Sequence, residues 1–249
     1  MAKEEIFYGM HPVLEAIEAG KPIDRVYMQD GLKTDLAMKV RAACRVANIY
    51  IHFVPQARIE GLAREKIHQG VVAISTELEF PPLEETVHQI VETGQVPLLV
   101  LLDRVTDVRN LGAIVRTMDA MGAQALIVPL QGSARINAEA IKASAGALYH
   151  LPVCREKNLR DAIFFMKEAG IRIIACHEKA GANLAQEDLS GPTCLIFGSE
   201  SEGIHPALLK MCDQEVFIPM QGKIGSLNVS VAAGMCLYEA SSQRKQTGF

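Results

Sequence analysis

LIFGSESEGIHPALLKMCDQEVFIPMQGKIGSLNVSVAAGMCLYEA, the stretch from Leu195 to Ala240, decides the fold. It begins inside an apolar run, Thr193 to Phe197, which reads as a buried strand. The run ends in Gly198-Ser199-Glu200, where a strand gives way to a loop. A second short run, Val216-Phe217-Ile218, stops at Pro219. The polar loop Gln221 to Gly225 then leads through Ser226-Leu227-Asn228 into an apolar, helix-like segment. In an open α/β sheet, small ligands bind in loops beyond the carboxyl ends of strands. Two such loops here carry Gly, Ser, Glu and Asn. Each residue alone also has an ordinary use: Ser226 as a helix cap, Gly198 as a turn, Glu200 as a solvated carboxylate.

Outward from this stretch the same alternation continues. Leu98 to Leu102 is an apolar run ending in Asp103, the pattern of a strand buried on both faces. Helical periodicity is expected over Leu111–Met121, Asn137–Ala147 and Asn158–Ala169, and strands over Ala125–Val128 and Arg172–Cys176. This order predicts α/β layers around a mostly parallel sheet. Between the first strand and its helix lie Asn110, Gly112 and Arg116, spaced N-x-G-x-x-x-R. The Asn stands near a helix start and the Arg nearly two turns on. A capped surface helix with a solvated Arg would show the same letters.

The first 78 residues read as a small α+β domain. Helices are expected over Pro12–Glu18 and Asp35–Ala47, the second with Leu36, Val40, Ala43 and Val46 on one stripe. Strands are expected over Arg25–Met28, Ile49–Val54 and Val71–Ile74. Residues 79–95, with Pro81-Pro82, Gly94 and four Glu but no Lys or Arg, read as a linker containing a short helix. The remainder, 96–249, is the second domain.

Composition sets the outer bounds. A chain of 249 residues with 49% hydrophobic residues buries a substantial core. A net charge of -4 argues against a generic polyanion binder but leaves room for a local basic face, to which Lys33, Lys39, Arg41 and Arg45 could contribute. With no Trp and 5% aromatic residues, a stacking platform for single-stranded RNA is not obvious. Six scattered Cys without a CxxC pair imply reduced, inert thiols and a cytoplasmic location. No apolar run approaches the ~18 residues of a membrane span. No G-x-G-x-x-G follows a candidate strand, which removes a dinucleotide-dependent oxidoreductase.

Together, FGSESEG (197–203), IPM (218–220) and SLNVSVAAG (226–234), preceded in order by N-x-G-x-x-x-R (110–116), resemble the SpoU, or TrmH, family of RNA 2'-O-methyltransferases. The resemblance runs the length of the chain and is nearest to bacterial 23S rRNA guanosine 2'-O-methyltransferases. It also takes in Tyr8-Gly9-Met10-His11-Pro12-Val13 and His68-Gln69-Gly70-Val71, which are similar to that family's N-terminal substrate-binding domain. One departure is Ser201, where the family has Gly directly after the motif Glu.

The resemblance implies a deep trefoil knot within the mostly parallel sheet, helices on both of its faces, and a small N-terminal domain similar to ribosomal protein L30e. Implied too are S-adenosyl-methionine as methyl donor, no metal, an RNA substrate and a homodimer formed through the catalytic domain. Its catalytic set maps onto Asn110, Arg116, Glu200, Ser226 and Asn228. Its cofactor pocket maps onto Gly198, Ile218, Pro219, Met220, Ser226, Leu227 and Asn228. A guanidinium is a poor base, with a pKa above about 12, so two roles stay open for Arg116: clamping the phosphate beside the target ribose, or accepting the proton in a strongly perturbed site. The alternatives to a 23S rRNA enzyme are a tRNA 2'-O-methyltransferase and a non-catalytic rRNA-binding or assembly factor.

Overall fold

In the computed structural model of the chain, the alternating pattern folds into two units, Met1–Leu78 and Glu79–Phe249. The structure describes residues 3–21, 23–47, 49–64 and 66–246. The outer limits expected for the two domains, Met1 and Phe249, lie outside the described residues.

The first unit runs β1 (Lys3–Tyr8), α1 (Met10–Glu18), β2 (Ile23–Gln29), α2 (Asp35–Val46), β3 (Ile51–Val54), α3 (Gln56–Ala63) and β4 (Val71–Glu77). Its sheet has the order β1-β4-β2-β3. The β1/β4 and β4/β2 pairs are antiparallel and β2/β3 is parallel. One face packs under α1 and α2 around Val13, Val26, Met28 and Val40. The other packs under α3, where Ile59 and Ala63 meet Val72. The Thr34 hydroxyl caps α2 by accepting from the amide of Ala37 at 3.2 Å. The buried stripe of α2 differs from the expected one: Ala37, Val40 and Cys44 are buried, whereas Val46 is 90% exposed at the last turn. Small residues win the close approach to α1 here, and they carry little hydropathy signal.

The second unit runs α4 (Leu83–Glu92), β5 (Leu98–Asp103), α5 (Val108–Met121), β6 (Ala125–Pro129), α6 (Ala138–Ala143), β7 (Val153–Glu156), α7 (Leu159–Glu168), β8 (Arg172–Cys176), β9 (Ala182–Asn183), β10 (Thr193–Gly198), α8 (Pro206–Leu209), β11 (Gln214–Phe217) and α9 (Val229–Gln246). Its seven strands pair in parallel in the order β7-β6-β5-β10-β8-β11-β9. The five apolar residues of β5 are buried, as their unbroken run requires, and so is Asp103 at its end. The chain lays β5, β6 and β7 outward in one direction, then crosses to β8, and β10 is inserted between β5 and β8. That reversal is the place where open α/β sheets present a ligand crevice.

Two expectations are corrected here. Residues 79–95 are not a linker: α4 packs along β7 and buries Leu83, Val87 and Ile90 in the core of the second unit. The acidic face of α4 hid an apolar stripe at helical spacing. The helix expected over Asn137–Ala147 ends at Ala143, and a short 3-10 turn follows at Ala147–Tyr149. Between them the chain turns through positive φ at Ala145 and Gly146.

Candidate active site

The carboxyl ends of β8, β10 and β11 open into a cleft of about 460 Å³, closed on its other side by the loop that enters α9. Its wall includes Cys176, Gly198, Glu200, Ile218, Met220, Ser226, Leu227 and Asn228. Six of the seven residues expected in the cofactor pocket therefore stand around one cavity. Pro219 does not. It faces a neighbouring depression with Leu184, Val231, Met235 and Tyr238.

Gly198 is required by close approach. A Cβ there would come within 2.0 Å of the Gly203 carbonyl carbon and 2.2 Å of the Ile204 nitrogen. The loop after β10 folds back on itself at this point. Ser199 and Gly203 form an isolated bridge, the Gly203 amide donates to Ser199 O at 2.9 Å, and the Glu202 amide donates to Ser199 Oγ at 3.1 Å. Gly203 takes the left-handed conformation, φ +67°. Ser201 is not among the described residues with positive φ, so the departure from Gly at this position costs the loop no strain.

At the mouth of the cleft three side chains from three distant motifs meet. Asn110, on the first turn of α5, donates through Nδ2 to Oε1 of Glu200. Asn228 Nδ2 donates both to Asn110 Oδ1 and to Glu200 Oε1, each at 3.1 Å. Asn228 Oδ1 in turn accepts from the amide of Ser230 at 2.9 Å and its hydroxyl at 2.6 Å. Helix capping thus falls to Asn228, immediately before α9, and Ser226 is left in the cleft wall. Asp107 caps α5 through the amides of Arg109 (2.7 Å) and Asn110 (3.3 Å), which fixes Asn110 in the first turn.

Arg116 stands apart from this cluster. Six residues after Asn110, it lies about 9 Å along α5 and about 120° around it. Its side chain is exposed and makes no hydrogen bond or ion pair among the described residues. Gly112, between the two, serves packing. A Cβ there would meet Ala143 Cβ at 2.4 Å and Ala140 O at 2.9 Å, so the α5–α6 contact needs its absence.

A latch that the motif spacing did not reveal holds the Glu200 loop. Asp103, 4% exposed at the end of β5, accepts from the His205 amide at 2.7 Å and from Arg104 Nε at 3.2 Å. Arg104, held at φ +57°, also donates to Gly203 O at 3.3 Å and pairs with Glu202. Its hydrogen bond to Asp103 raises the guanidinium pKa above its ordinary value. The available sequence signal was a carboxylate directly ending a fully apolar strand. His177 was also not singled out: it lines the cleft and holds Glu215 at 2.7 Å. The buried Arg244, near the end of α9, donates to the carbonyls of Val96 (2.7 Å), Pro97 (2.9 Å), Leu189 (3.1 Å) and Gly191 (2.6 Å), fastening that helix to the start of β5.

The chain is similar to known proteins over nearly its whole length. The SpoU rRNA methylase family matches residues 97–238, and the family described as RNA 2'-O ribose methyltransferase substrate binding matches residues 6–81. YacO of Bacillus subtilis, assigned to the TrmH family of tRNA/rRNA methyltransferases, is 32% identical over 96% of each chain. The Synechocystis protein slr0955, an uncharacterised tRNA/rRNA methyltransferase, is 34% identical over 96% of this chain, which spans 63% of that longer relative. Among solved structures, the SpoU methyltransferase AviRb from Streptomyces viridochromogenes, in complex with AdoMet, superposes with a TM-score of 0.64. It is 28% identical, covering 98% of this chain and 91% of that one.

Proposed function

The chain belongs to the SpoU family of RNA methyltransferases, and we propose that it methylates the ribose 2'-oxygen of a guanosine in 23S rRNA, with S-adenosyl-methionine as donor. The observation that carries this reading is the Asn110–Glu200–Asn228 cluster at the mouth of a cleft of ligand size.

The cleft suits the donor. Its volume falls within the ~300–1,000 Å³ of small-ligand sites. Apolar Ile218, Leu227 and Val229 offer a dry surface for an adenine ring. The carboxylates of Glu178 and Glu200 complement a sulfonium cation, and Lys179 complements a carboxylate. When bound, the sulfonium supplies an electrophilic methyl. The chain's own task is to deliver an oriented hydroxyl, which is worth up to about 7–11 kcal/mol in favourable cases. Two amides hold Oε1 of Glu200, and Oε2, which takes no bond among the described residues, is left to accept from the ribose hydroxyl. Arg116 serves the acceptor side, as a clamp on the neighbouring phosphate.

The remaining parts of the reading have separate supports. The substrate-binding match over residues 6–81 supports giving the first unit the RNA. The trefoil knot that the family resemblance implies is compatible with the insertion of β10 between β5 and β8. An exposed apolar stripe on α9, Val231, Met235 and Tyr238, suits a homodimer. Six free cysteines suit a cytoplasmic location, and no helix among the described residues is long and apolar enough to cross a membrane.

The test is transfer of labelled methyl from S-adenosyl-methionine to rRNA lacking the modification, followed by nucleoside mass spectrometry. A 2'-O-methylguanosine product is expected. A base-methylated product, or transfer to tRNA alone, would overturn the assignment.

A further inference from the structure

Three of the chain's five tyrosines, Tyr8, Tyr27 and Tyr50, fall in its first 78 residues, and two of them meet a histidine at one corner of the first unit's sheet. The register explains how. Tyr8 lies opposite Val72, Val72 opposite Tyr27, and Tyr27 opposite His52, so the four form one row across β1, β4, β2 and β3. Val26 and Met28 are buried beneath α1 and α2, so strand alternation turns Arg25, Tyr27 and Gln29 to the opposite face. On that face α3 covers Val72, and Tyr27 and Val54 pack against the same cluster, so the corner is open at Tyr50.

The Tyr27 and His52 rings stack with centroids 5.2 Å apart, and Tyr50 meets His52 edge-on at 4.9 Å. Tyr50 is 73% exposed. Because β3 is an edge strand, its other face is reachable too, and there Arg41 lies 5.1 Å from the ring of Phe53, itself 50% exposed. At the far end of the row Lys66 stands 4.8 Å over the ring of Tyr8.

We propose that this corner, the exposed ring of Tyr50 backed by His52 and Tyr27, is a platform on which unpaired bases of the RNA substrate stack. The inference rests on the reading of the chain as an RNA methyltransferase and names where and how its first unit grips RNA. A patch made for a protein partner would gain from aliphatic bulk. This one offers ring faces and cations, the pairing that suits nucleobases and the phosphates between them. Ten basic residues against ten acidic ones leave residues 1–78 with no net charge, so a general electrostatic grip is weak and stacking carries the recognition. Glu60 on α3 is engaged by Gln56 at 2.8 Å, which restrains a carboxylate on the same side of the sheet. Unpaired nucleotides are selected over duplex, because bases in a helix have no free face.

The experiment uses the full chain and a short single-stranded RNA of mixed sequence carrying 2-aminopurine, with the same sequence as a duplex for comparison. Tyr50→Phe should bind the single strand within about twofold of wild type. Tyr50→Ala should bind it about 5- to 100-fold more weakly, with loss of the 2-aminopurine quench. In methylation assays Tyr50→Ala should raise KM for rRNA, leave kcat unchanged at saturation, and leave affinity for S-adenosyl-methionine unchanged. Should Tyr50→Ala lower the melting temperature, Tyr50→Leu keeps the bulk without the ring face and should show the same loss. Wild-type affinity in Tyr50→Ala, or equal binding of duplex and single strand, would overturn the platform while methylation by the wild type left the enzymatic reading standing. A wild-type chain that neither bound nor methylated RNA would overturn both.

Discussion

At Gly198 the backbone of its own loop comes so close that any side chain must displace it. Gly198→Ala should therefore move Glu200 out of reach of Asn110 and Asn228. Calorimetry with S-adenosyl-methionine should find binding weakened at least about tenfold in a protein that is still folded. Unchanged affinity would mean that the loop does not shape the cofactor site. Arg116 poses a different question, because it is exposed and lies on another side of α5 from Asn110. Lysine keeps the charge but loses the planar fork. If Arg116 holds the acceptor in the transition state, Arg116→Lys should lower the single-turnover rate by roughly 10²-fold or more at saturating RNA and cofactor. Near-normal turnover would limit Arg116 to supplying charge.

Elements with an unbroken or strictly periodic pattern were legible in the sequence. Strands β5, β8 and β10 and helices α5 and α7 fall where apolar runs and helical spacing place them, within a residue or a few at each end. The first strand, β1, was not legible, because Lys3-Glu4-Glu5 places charges in half of it. Helix α3 was missed because its apolar residues, Ile59, Leu62 and Ala63, are few and Gly61 lies among them. In the site, motif order made Asn110, Glu200 and Asn228 legible, whereas the Asp103–Arg104 latch depends on a turn-back that only the fold creates. Helix α4 shows the same limit, since its charges concealed a core-facing stripe. A fragment beginning at Glu79 should fold and bind S-adenosyl-methionine without the first unit. One beginning at Val96 loses Leu83, Val87 and Ile90 from the core and should melt at a clearly lower temperature. Equal melting of the two fragments would return α4 to the status of a linker.

Over the whole molecule the thiols report how tightly both units are packed. Burial raises the Cys44 and Cys154 thiols to about 11 and Cys212 to about 12, and pushes Cys194 higher still. At pH 8 no more than about a thousandth of any of these is thiolate, and thiolate is the reactive form. The folded protein should react slowly at these positions with a thiol reagent, and all six cysteines should react on unfolding. Rapid modification of Cys194 in the native state would show that the core of the second unit opens.

The most direct measurement is a map of 2'-O-methylation in rRNA from cells lacking the protein, complemented with wild type or with Asn228→Ala. A single 23S rRNA guanosine should lose its methyl in those cells, regain it with wild type, and not regain it with Asn228→Ala. An unchanged 23S methylation map in the cells lacking the protein would contradict it.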